Sequence, residues 1–243
     1  MADRAFGRRS FNLGLLTAAV VAGLPRGARA NGAKVLIIGG SAIKGALGMY
    51  LERDLKKLGF DATRDAKSSS GLARPDFFNW PKRASKLRDD HSPDAVVCMF
   101  GGNDAQGLWM GKDNDPEWIR WQEEGWTEEY RRRVNEFADA VTNPGTKLFW
   151  MGMPVMRSKD FDARIERMNT VFRAEMATRK DAYYLDTREV LSTPEGKYTD
   201  HLTIEGSRTR VRAGDGIHLA GAGATVVVNH LVPQIADALK PQS

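Results

Sequence analysis

Continuously apolar runs that alternate with amphipathic stretches set the strongest limit on how this chain can fold. Lys34–Gly39 and Asp94–Phe100 are nearly uninterrupted apolar runs, as expected for strands buried on both faces of a sheet. After the first run, Ile43, Leu47 and Leu51 recur at helical spacing. Strands that alternate with helices in this way predict a parallel sheet with helices packed against its faces.

The same alternation continues along the chain and gives five predicted strands, each followed by a helix. The strands are predicted at 34–39, 60–64, 94–100, 146–152 and 182–186, and the helices within 43–58, 77–90, 130–141, 165–176 and 227–239. This order predicts a three-layer α/β/α sandwich around a flavodoxin-like, five-stranded parallel sheet. In such sheets, ligands bind outside the carboxyl ends of the strands.

Two segments interrupt this alternation. Residues 105–127 hold four of the six tryptophans, which are Trp109, Trp118, Trp121 and Trp126. Residues 195–213 alternate polar and β-branched residues around a glycine and are predicted to form a β-hairpin. Insertions of this length inside a compact domain usually have a function or a structure of their own.

The first thirty residues have the layout of a secretory signal peptide. Arg8-Arg9 precedes the apolar stretch Leu13–Leu24, and Ala28-Arg29-Ala30 supplies the small-x-small pattern of a cleavage site. The Arg-Arg-x-Phe-x-Leu context is similar to the twin-arginine export signal. An uncleaved membrane anchor is disfavoured, because about 12 apolar residues cannot span a bilayer that requires about 20. We expect cleavage near Ala30–Asn31, a mature domain over 31–243, and a periplasmic location without a membrane span.

Removal of this segment changes what the charge of the chain implies. The whole sequence carries a formal charge of +5, from 36 basic and 31 acidic residues. Residues 1–30 hold five arginines and one aspartate, so the remaining 31 basic and 30 acidic residues leave a charge of +1. The excess of positive charge therefore belongs to the export signal and gives no support to a nucleic-acid partner.

The single cysteine and the few histidines restrict the chemistry further. Cys98 lies within an apolar run, which favours a small buried hydrophobic residue over a nucleophile, and no intrachain disulfide can form. The four histidines show no metal-ligand spacing. No metal site is therefore predicted.

A candidate nucleophile follows the first predicted strand. In Gly39-Gly40-Ser41 the glycines permit a tight turn, which would leave the hydroxyl of Ser41 at the carboxyl edge of the sheet. The amide of such a serine can also stabilise a developing oxyanion. The alternative is a serine that caps the following helix, which is common at this position. A phosphate-binding loop is excluded, because no Gly-Lys-Ser/Thr follows.

Two further strand ends carry candidate oxyanion donors. The sequence GGND, which includes Asn103, follows the strand that ends at Phe100, and an asparagine amide can donate to a carbonyl oxygen that gains charge. Gly71, at the end of a serine cluster after the second strand, could supply a backbone amide. Both segments are also compatible with ordinary turns.

The motif DGIH lies just before the last predicted helix. His218 is suited to accept the proton of a serine hydroxyl, because the pKa of an imidazole lies near neutral pH. Asp215, three residues earlier, could hold the imidazole in the required tautomer. Asp215 as a turn residue beside a surface histidine is the alternative.

The joint order Ser, Gly, Asn and Asp-x-x-His at successive strand ends resembles the SGNH (GDSL-type) hydrolase superfamily over essentially the whole mature length. The pattern is most similar to a periplasmic branch of that superfamily. The resemblance implies Ser41, His218 and Asp215 as catalytic residues, with Ser41, Gly71 and Asn103 as the oxyanion hole. It also implies hydrolysis of carboxylic esters through an acyl-enzyme, without a metal or an organic cofactor. One departure is Gly40, where the family usually has an aspartate.

The tryptophan-rich insertion bears on the substrate. It follows GGND directly and should overhang the site, so that Trp109 and Trp118 could stack on sugar rings. The alternative is that they only pack the insertion onto the domain. Together with export, this suggests O-acetyl groups on envelope glycans as the substrate. A lipid or thioester acyl hydrolase, or a non-catalytic glycan-binding factor on the same fold, is the alternative.

Overall fold

A parallel sheet of five strands forms the middle layer of the computed structural model, which describes residues 32–240. In chain order the strands are β1 (Lys34–Gly39), β2 (Asp61–Ala66), β3 (Ala95–Met99), β4 (Leu108–Trp109), β5 (Trp118–Ile119), β6 (Lys147–Met151), β7 (Ala182–Leu185), β8 (His201–Ile204) and β9 (Ser207–Arg210). The helices are α1 (Ser41–Lys44), α2 (Ala46–Lys57), α3 (Trp80–His91), α4 (Trp126–Val141), α5 (Lys159–Ala177) and α6 (Gly221–Ala238), with a 3₁₀ turn at Glu189–Leu191.

The central sheet has the order β2-β1-β3-β6-β7, and all of its neighbouring strands are parallel. Helices α2 and α6 pack together, while α3, α4 and α5 form a second packed group. The predicted α/β sandwich with a flavodoxin-like sheet is therefore confirmed. The strand order reverses between β1 and β3, and the crevice outside their carboxyl ends is where such folds bind ligands.

The core lies between the sheet and its two helical layers. All five residues of β3 are buried, and they include Cys98, which is a small buried side chain as the apolar run predicts. Phe100, Phe137 and Trp150 pack edge to face or tilted, with ring centroids 4.8–5.8 Å apart. Burial of such large rings is a main source of stability in a domain of this size.

The region after β1 differs from the prediction of a single helix over 43–58. The chain forms the short helix α1, becomes extended at Gly45, and then begins α2. The amide of Gly45 donates to the carbonyl oxygen of Ser41 at 2.9 Å, which closes the first turn before the chain changes direction. Ser41 therefore stands at the start of a separate short helix.

The tryptophan-rich segment 105–127 contains the two-residue ribbon β4–β5, in which Trp109 pairs with Trp118. Its last tryptophan, Trp126, is the first residue of α4; it is fully buried and stacks on Tyr130 at 4.8 Å. Part of the aromatic content of this segment therefore belongs to the core of the domain.

Within residues 195–213, strands β8 and β9 form an antiparallel hairpin. Glu205 and Gly206 at its tip both have positive φ, as a two-residue hairpin turn of this kind requires. None of the helices within residues 32–240 is both long enough and apolar enough to cross a membrane. The predicted signal peptide over residues 1–30 lies outside the described residues.

Candidate active site

Ser41 is the first residue of α1 and follows the carboxyl end of β1. Its Oγ lies 2.8 Å from Nε2 of His218, a residue 177 positions later in the chain. The N-cap position belongs to Gly40, and no side chain caps this helix. The hydroxyl of Ser41 therefore does not cap the helix but points to the imidazole.

The other ring nitrogen of His218 contacts the carboxylate of Asp215, with Nδ1 and Oδ2 separated by 2.6 Å. The second carboxylate oxygen, Oδ1, accepts hydrogen bonds from the amides of Ile217 and His218 at 2.8 and 2.9 Å. Asp215 thus shapes the turn and also orients the imidazole. The side chains of Asp215 and His218 are each 45% exposed, so the hydrogen-bonded row opens to solvent.

The environment of Asp215 keeps its carboxylate ionised. Partial burial acts to raise the pKa, but the hydrogen bonds from the His218 ring and from the two backbone amides outweigh it and lower the pKa of Asp215 to about 2. An ionised carboxylate at Nδ1 fixes the tautomer that leaves Nε2 free to accept a proton from Ser41.

A buried arginine supports the loop that carries Asp215 and His218. Arg212 is fully buried, and its guanidinium donates to the carbonyl oxygens of Val155 at 2.6 Å, Ile217 at 3.0 Å and Gly216 at 3.3 Å. Burial lowers the pKa of Arg212. The two loop carbonyls belong to the residues between Asp215 and His218, so this contact sets the spacing of the pair.

A second arginine contacts the same loop from its exposed side. Arg157 donates to the carbonyl oxygen of Gly214 at 2.9 Å and forms an ion pair with Asp200 at 2.8 Å. The sequence prediction missed both Arg157 and Arg212. For Arg212 the only signal in the sequence was a run of alternating arginines in the hairpin, and this run does not distinguish a buried arginine from exposed ones.

Asn103 lies close to the turn before Ser41. Its Nδ2 donates to the carbonyl oxygen of Ser70 at 3.1 Å. A β-carbon placed on Gly40 would lie 3.0 Å from that carbonyl oxygen and 3.6 Å from Asn103 Nδ2. This close approach leaves little room at position 40, because a larger side chain would press on the Ser70 carbonyl.

Gly71 packs directly against a buried carboxylate. A β-carbon at this position would lie 2.1 Å from Oδ1 of Asp104, so only glycine fits. Asp104 is fully buried and accepts hydrogen bonds from the Ala73 amide at 2.8 Å and from the Tyr130 hydroxyl at 2.9 Å. Burial raises the pKa of Asp104, against the opposing effect of these hydrogen bonds.

Asp104 therefore joins the loop of Gly71 to the loop of Asn103. The sequence prediction did not assign it a role, although it is the last residue of GGND and directly follows Asn103. Arg133 joins the loop of Gly71 to α4, because its buried guanidinium donates to the carbonyl oxygens of Leu72 and Ala73 at 2.9 Å.

A cavity of about 200 Å³ lies beside the candidate oxyanion donors. Its walls are formed by seven residues, namely Ser69, Gly71, Arg74, Phe77, Asn103, Asp104 and Gln106. The two tryptophans singled out in the sequence contact residues next to this cavity. The guanidinium carbon of Arg74 is 4.9 Å from the ring centroid of Trp118, and the backbone amide of Trp109 donates to the Ala73 carbonyl.

Within residues 32–240, no cluster of three or more histidine, cysteine, aspartate or glutamate side chains is arranged to hold a metal ion. A hydroxyl, an imidazole and a carboxylate stand in one hydrogen-bonded row next to an asparagine amide, an arrangement that suits nucleophilic attack on a carbonyl carbon.

A flavodoxin-like sheet with serine after its first strand, asparagine after its third strand and Asp-x-x-His before its last helix defines the fold as that of the SGNH (GDSL-type) hydrolases. The chain itself belongs to the family described as "Protein of unknown function (DUF459)", whose model matches residues 34–234. A comparison with curated proteins finds no match.

Solved structures with this fold include several whose names state an esterase or lipase. A carbohydrate esterase of family 3 from Talaromyces cellulolyticus is 17% identical, with a TM-score of 0.56 and coverage of 87% of this chain and 100% of the other. A GDSL-like lipase from Bacteroides thetaiotaomicron is 14% identical, with a TM-score of 0.56 and coverage of 84% and 88%. A variant of an acetyl-xylooligosaccharide esterase from Geobacillus stearmophilus is 16% identical, with a TM-score of 0.56 and coverage of 84% and 94%. At these identities the likeness concerns the fold.

Proposed function

We propose that the protein is an exported serine esterase, which hydrolyses carboxylic esters through an acyl-enzyme. The observation that carries this proposal is the row of hydrogen bonds from Ser41 to His218 at 2.8 Å and from His218 to Asp215 at 2.6 Å. The esterase names of several proteins with the same fold support it further.

In the first half of the reaction, the Ser41 hydroxyl attacks the carbonyl carbon of the ester while Nε2 of His218 takes its proton. The tetrahedral oxyanion is stabilised by the amides of Ser41 and Gly71 and by the side chain of Asn103. Asn103 gives one amide proton to Ser70 and retains a second for the oxyanion. Collapse of this intermediate breaks the ester C–O bond, and His218 protonates the departing alcohol.

In the second half, water attacks the acyl-enzyme and His218 accepts one of its protons. The new tetrahedral intermediate uses the same oxyanion donors. Its collapse breaks the bond to Ser41 Oγ, which regains the proton from His218, and the carboxylic acid is released. The ionised carboxylate of Asp215 stabilises the imidazolium in both halves.

The lining of the cavity beside Gly71 and Asn103 favours a polar part of the substrate over a long acyl chain. Most of its walls are polar, whereas a lipid acyl chain requires an apolar channel. This supports O-acetyl esters, with an exported glycan as the acceptor that carries them, over the lipid or thioester alternative.

The proposal is tested with purified protein, a panel of acetyl and long-chain nitrophenyl esters, and a fluorophosphonate probe. We expect turnover that prefers acetyl esters, and covalent labelling that disappears in Ser41→Ala. Ser207→Ala, on the exposed hairpin, is the matched control and should retain both activities. Wild-type turnover that survives in Ser41→Ala would refute the assignment.

A non-catalytic glycan-binding factor gives a different result in the same experiment. It would leave Ser41 unlabelled and all esters intact while glycan binding remained measurable. A preference for long-chain esters would instead favour the alternative of a lipid or thioester acyl hydrolase.

The export part of the proposal is tested separately, because it rests on residues 1–30 alone. Replacement of Arg8 and Arg9 by lysine should retain the protein in the cytoplasm, as measured by cell fractionation, since twin-arginine signals depend on this pair. A variant that is still exported would contradict the twin-arginine assignment, and one that stays attached to membranes would contradict cleavage.

A further inference from the structure

Phe77 is one of two large hydrophobic side chains that are well exposed within residues 32–240. It is 52% exposed, and the other, Met49, is 46% exposed on α2. Single exposed hydrophobic residues are common and require no explanation. Phe77 differs from Met49 in its position, because its ring forms part of the wall of the cavity beside Gly71 and Asn103.

The backbone holds Phe77 firmly in this position. The amides of Phe77 and Phe78 both donate to the carbonyl oxygen of Arg74 at 3.1 Å, and the side chain of Asn79 caps α3 two residues later. The next ring, Phe78, turns inward and packs on Trp80 with centroids 4.8 Å apart. Phe77 is therefore a half-exposed ring on a well-anchored turn, and Nζ of Lys67 lies over it at 5.9 Å from the ring centroid.

Polar groups accompany the ring in the cavity wall. Arg74 is held by two hydrogen bonds to Asp76, at 2.8 and 2.6 Å, and it stacks on Trp118. Gln106 and Ser69 add side chains that can both donate and accept. Phe77 is the only apolar side chain among the residues that form this wall.

A pyranose ring has the matching chemistry, with an apolar C–H face and a rim of hydroxyl groups. We propose that Phe77 is the stacking surface for the sugar unit that bears the ester, and that Arg74 and Gln106 bind its hydroxyls. The substrate class is therefore an acylated glycan. This inference rests on the proposed esterase function and adds the residue that selects the acceptor.

The arrangement also assigns a different role to the tryptophans of the insertion. Trp118 packs on the guanidinium of Arg74, so in this proposal it contributes to the sugar site through Arg74. A lipid chain would find a single aromatic ring in an otherwise polar wall and would gain little from it.

The test compares Phe77→Ala, Phe77→Trp and the control Met49→Ala on two kinds of ester. Acetylated cellobiose, xylobiose and chitobiose carry sugar rings, whereas ethyl acetate carries no ring that could stack. We expect Phe77→Ala to raise KM for the best acetylated disaccharide about threefold to tenfold, as expected for loss of one ring contact. Its kcat/KM for ethyl acetate should fall far less than that for the disaccharide, Phe77→Trp should restore KM, and Met49→Ala should match wild type on both.

Calorimetric binding of the same disaccharides to Ser41→Ala gives a readout that does not depend on turnover. An equal loss on ethyl acetate and on the disaccharides, or an unchanged KM and affinity in Phe77→Ala, would overturn the inference. So would an absence of saccharide binding in a protein that still hydrolyses ethyl acetate through Ser41, and that result would leave the esterase proposal intact. If instead no ester is hydrolysed but saccharide affinity falls in Phe77→Ala, the stacking role stands and the esterase proposal fails.

Discussion

Arg212→Met should uncouple the loop of Asp215 and His218 from the rest of the domain. Methionine retains an unbranched, buried side chain of similar length but removes the guanidinium. The carbonyl oxygens of Val155 and Ile217 then lose their donor, whereas that of Gly216 keeps the Arg157 amide as a second donor. Each unpaired buried carbonyl costs about 1–3 kcal/mol.

The net effect is smaller than the sum of the costs for these two carbonyls. Arg212 is a fully buried cation that is hydrogen-bonded to carbonyl oxygens, and removal of its charge recovers part of its desolvation penalty. We therefore expect the free energy of unfolding to fall by about 2–5 kcal/mol. The turnover number should fall about 100-fold in the folded variant, because small displacements of catalytic groups have effects of that size.

The assay combines urea denaturation with acetyl-ester turnover, measured at a temperature where the variant is folded. Arg212→Lys restores one charged donor and should recover part of both quantities. Arg208→Met, on the exposed face of the hairpin, is the control and should alter neither. A stably folded Arg212→Met protein with wild-type kcat would refute the positioning role.

Three further outcomes follow from the structure. Asp215→Asn should lower kcat about 10³–10⁴-fold without unfolding the protein. Since the pKa of Asp215 is about 2, its contribution to stability is present above about pH 4 and is lost as pH falls toward 2. A fall in the wild-type kcat/KM just below neutral pH would therefore come from a group other than Asp215. Gly71→Ala forces a β-carbon against the buried Asp104 carboxylate and should destabilise the fold by about 1–3 kcal/mol; an unchanged urea midpoint would contradict this packing. Burial raises the pKa of the Cys98 thiol well above its usual value. This thiol should therefore react with a thiol reagent only as urea unfolds the protein. Rapid reaction of the native protein would show that β3 is accessible.

The sequence prediction was most accurate for the strands that are buried on both faces and least accurate for the exposed edge strand. Strands β1, β3 and β6 were predicted within one residue at either end, because strands covered on both faces read as continuous apolar runs. The edge strand β2 was predicted to begin one residue early and to end two residues early. It contains a single buried residue, Ala62, so its sequence hardly differs from that of a polar loop.

The candidate site was predicted where a short motif follows a strand, as at Ser41, Asn103 and the DGIH segment. The structure brings Ser41, His218 and Asp215 within hydrogen-bonding distance, and their catalytic roles remain proposals. Arg212 and Phe77 could not have been identified in the same way. Their importance depends on which carbonyls and which cavity surround them, and those neighbours are distant in sequence.

The separation of 177 positions between Ser41 and His218 has a consequence for the timing of activity. As the ribosome extends the chain, the nucleophile emerges early and its base emerges only with the final segment. In the structure the loop of His218 leads directly into α6, which packs on α2. Under the proposed function, a chain that ends before the DGIH motif lacks the base and should be unable to cleave esters, so ester cleavage reports that synthesis has passed His218.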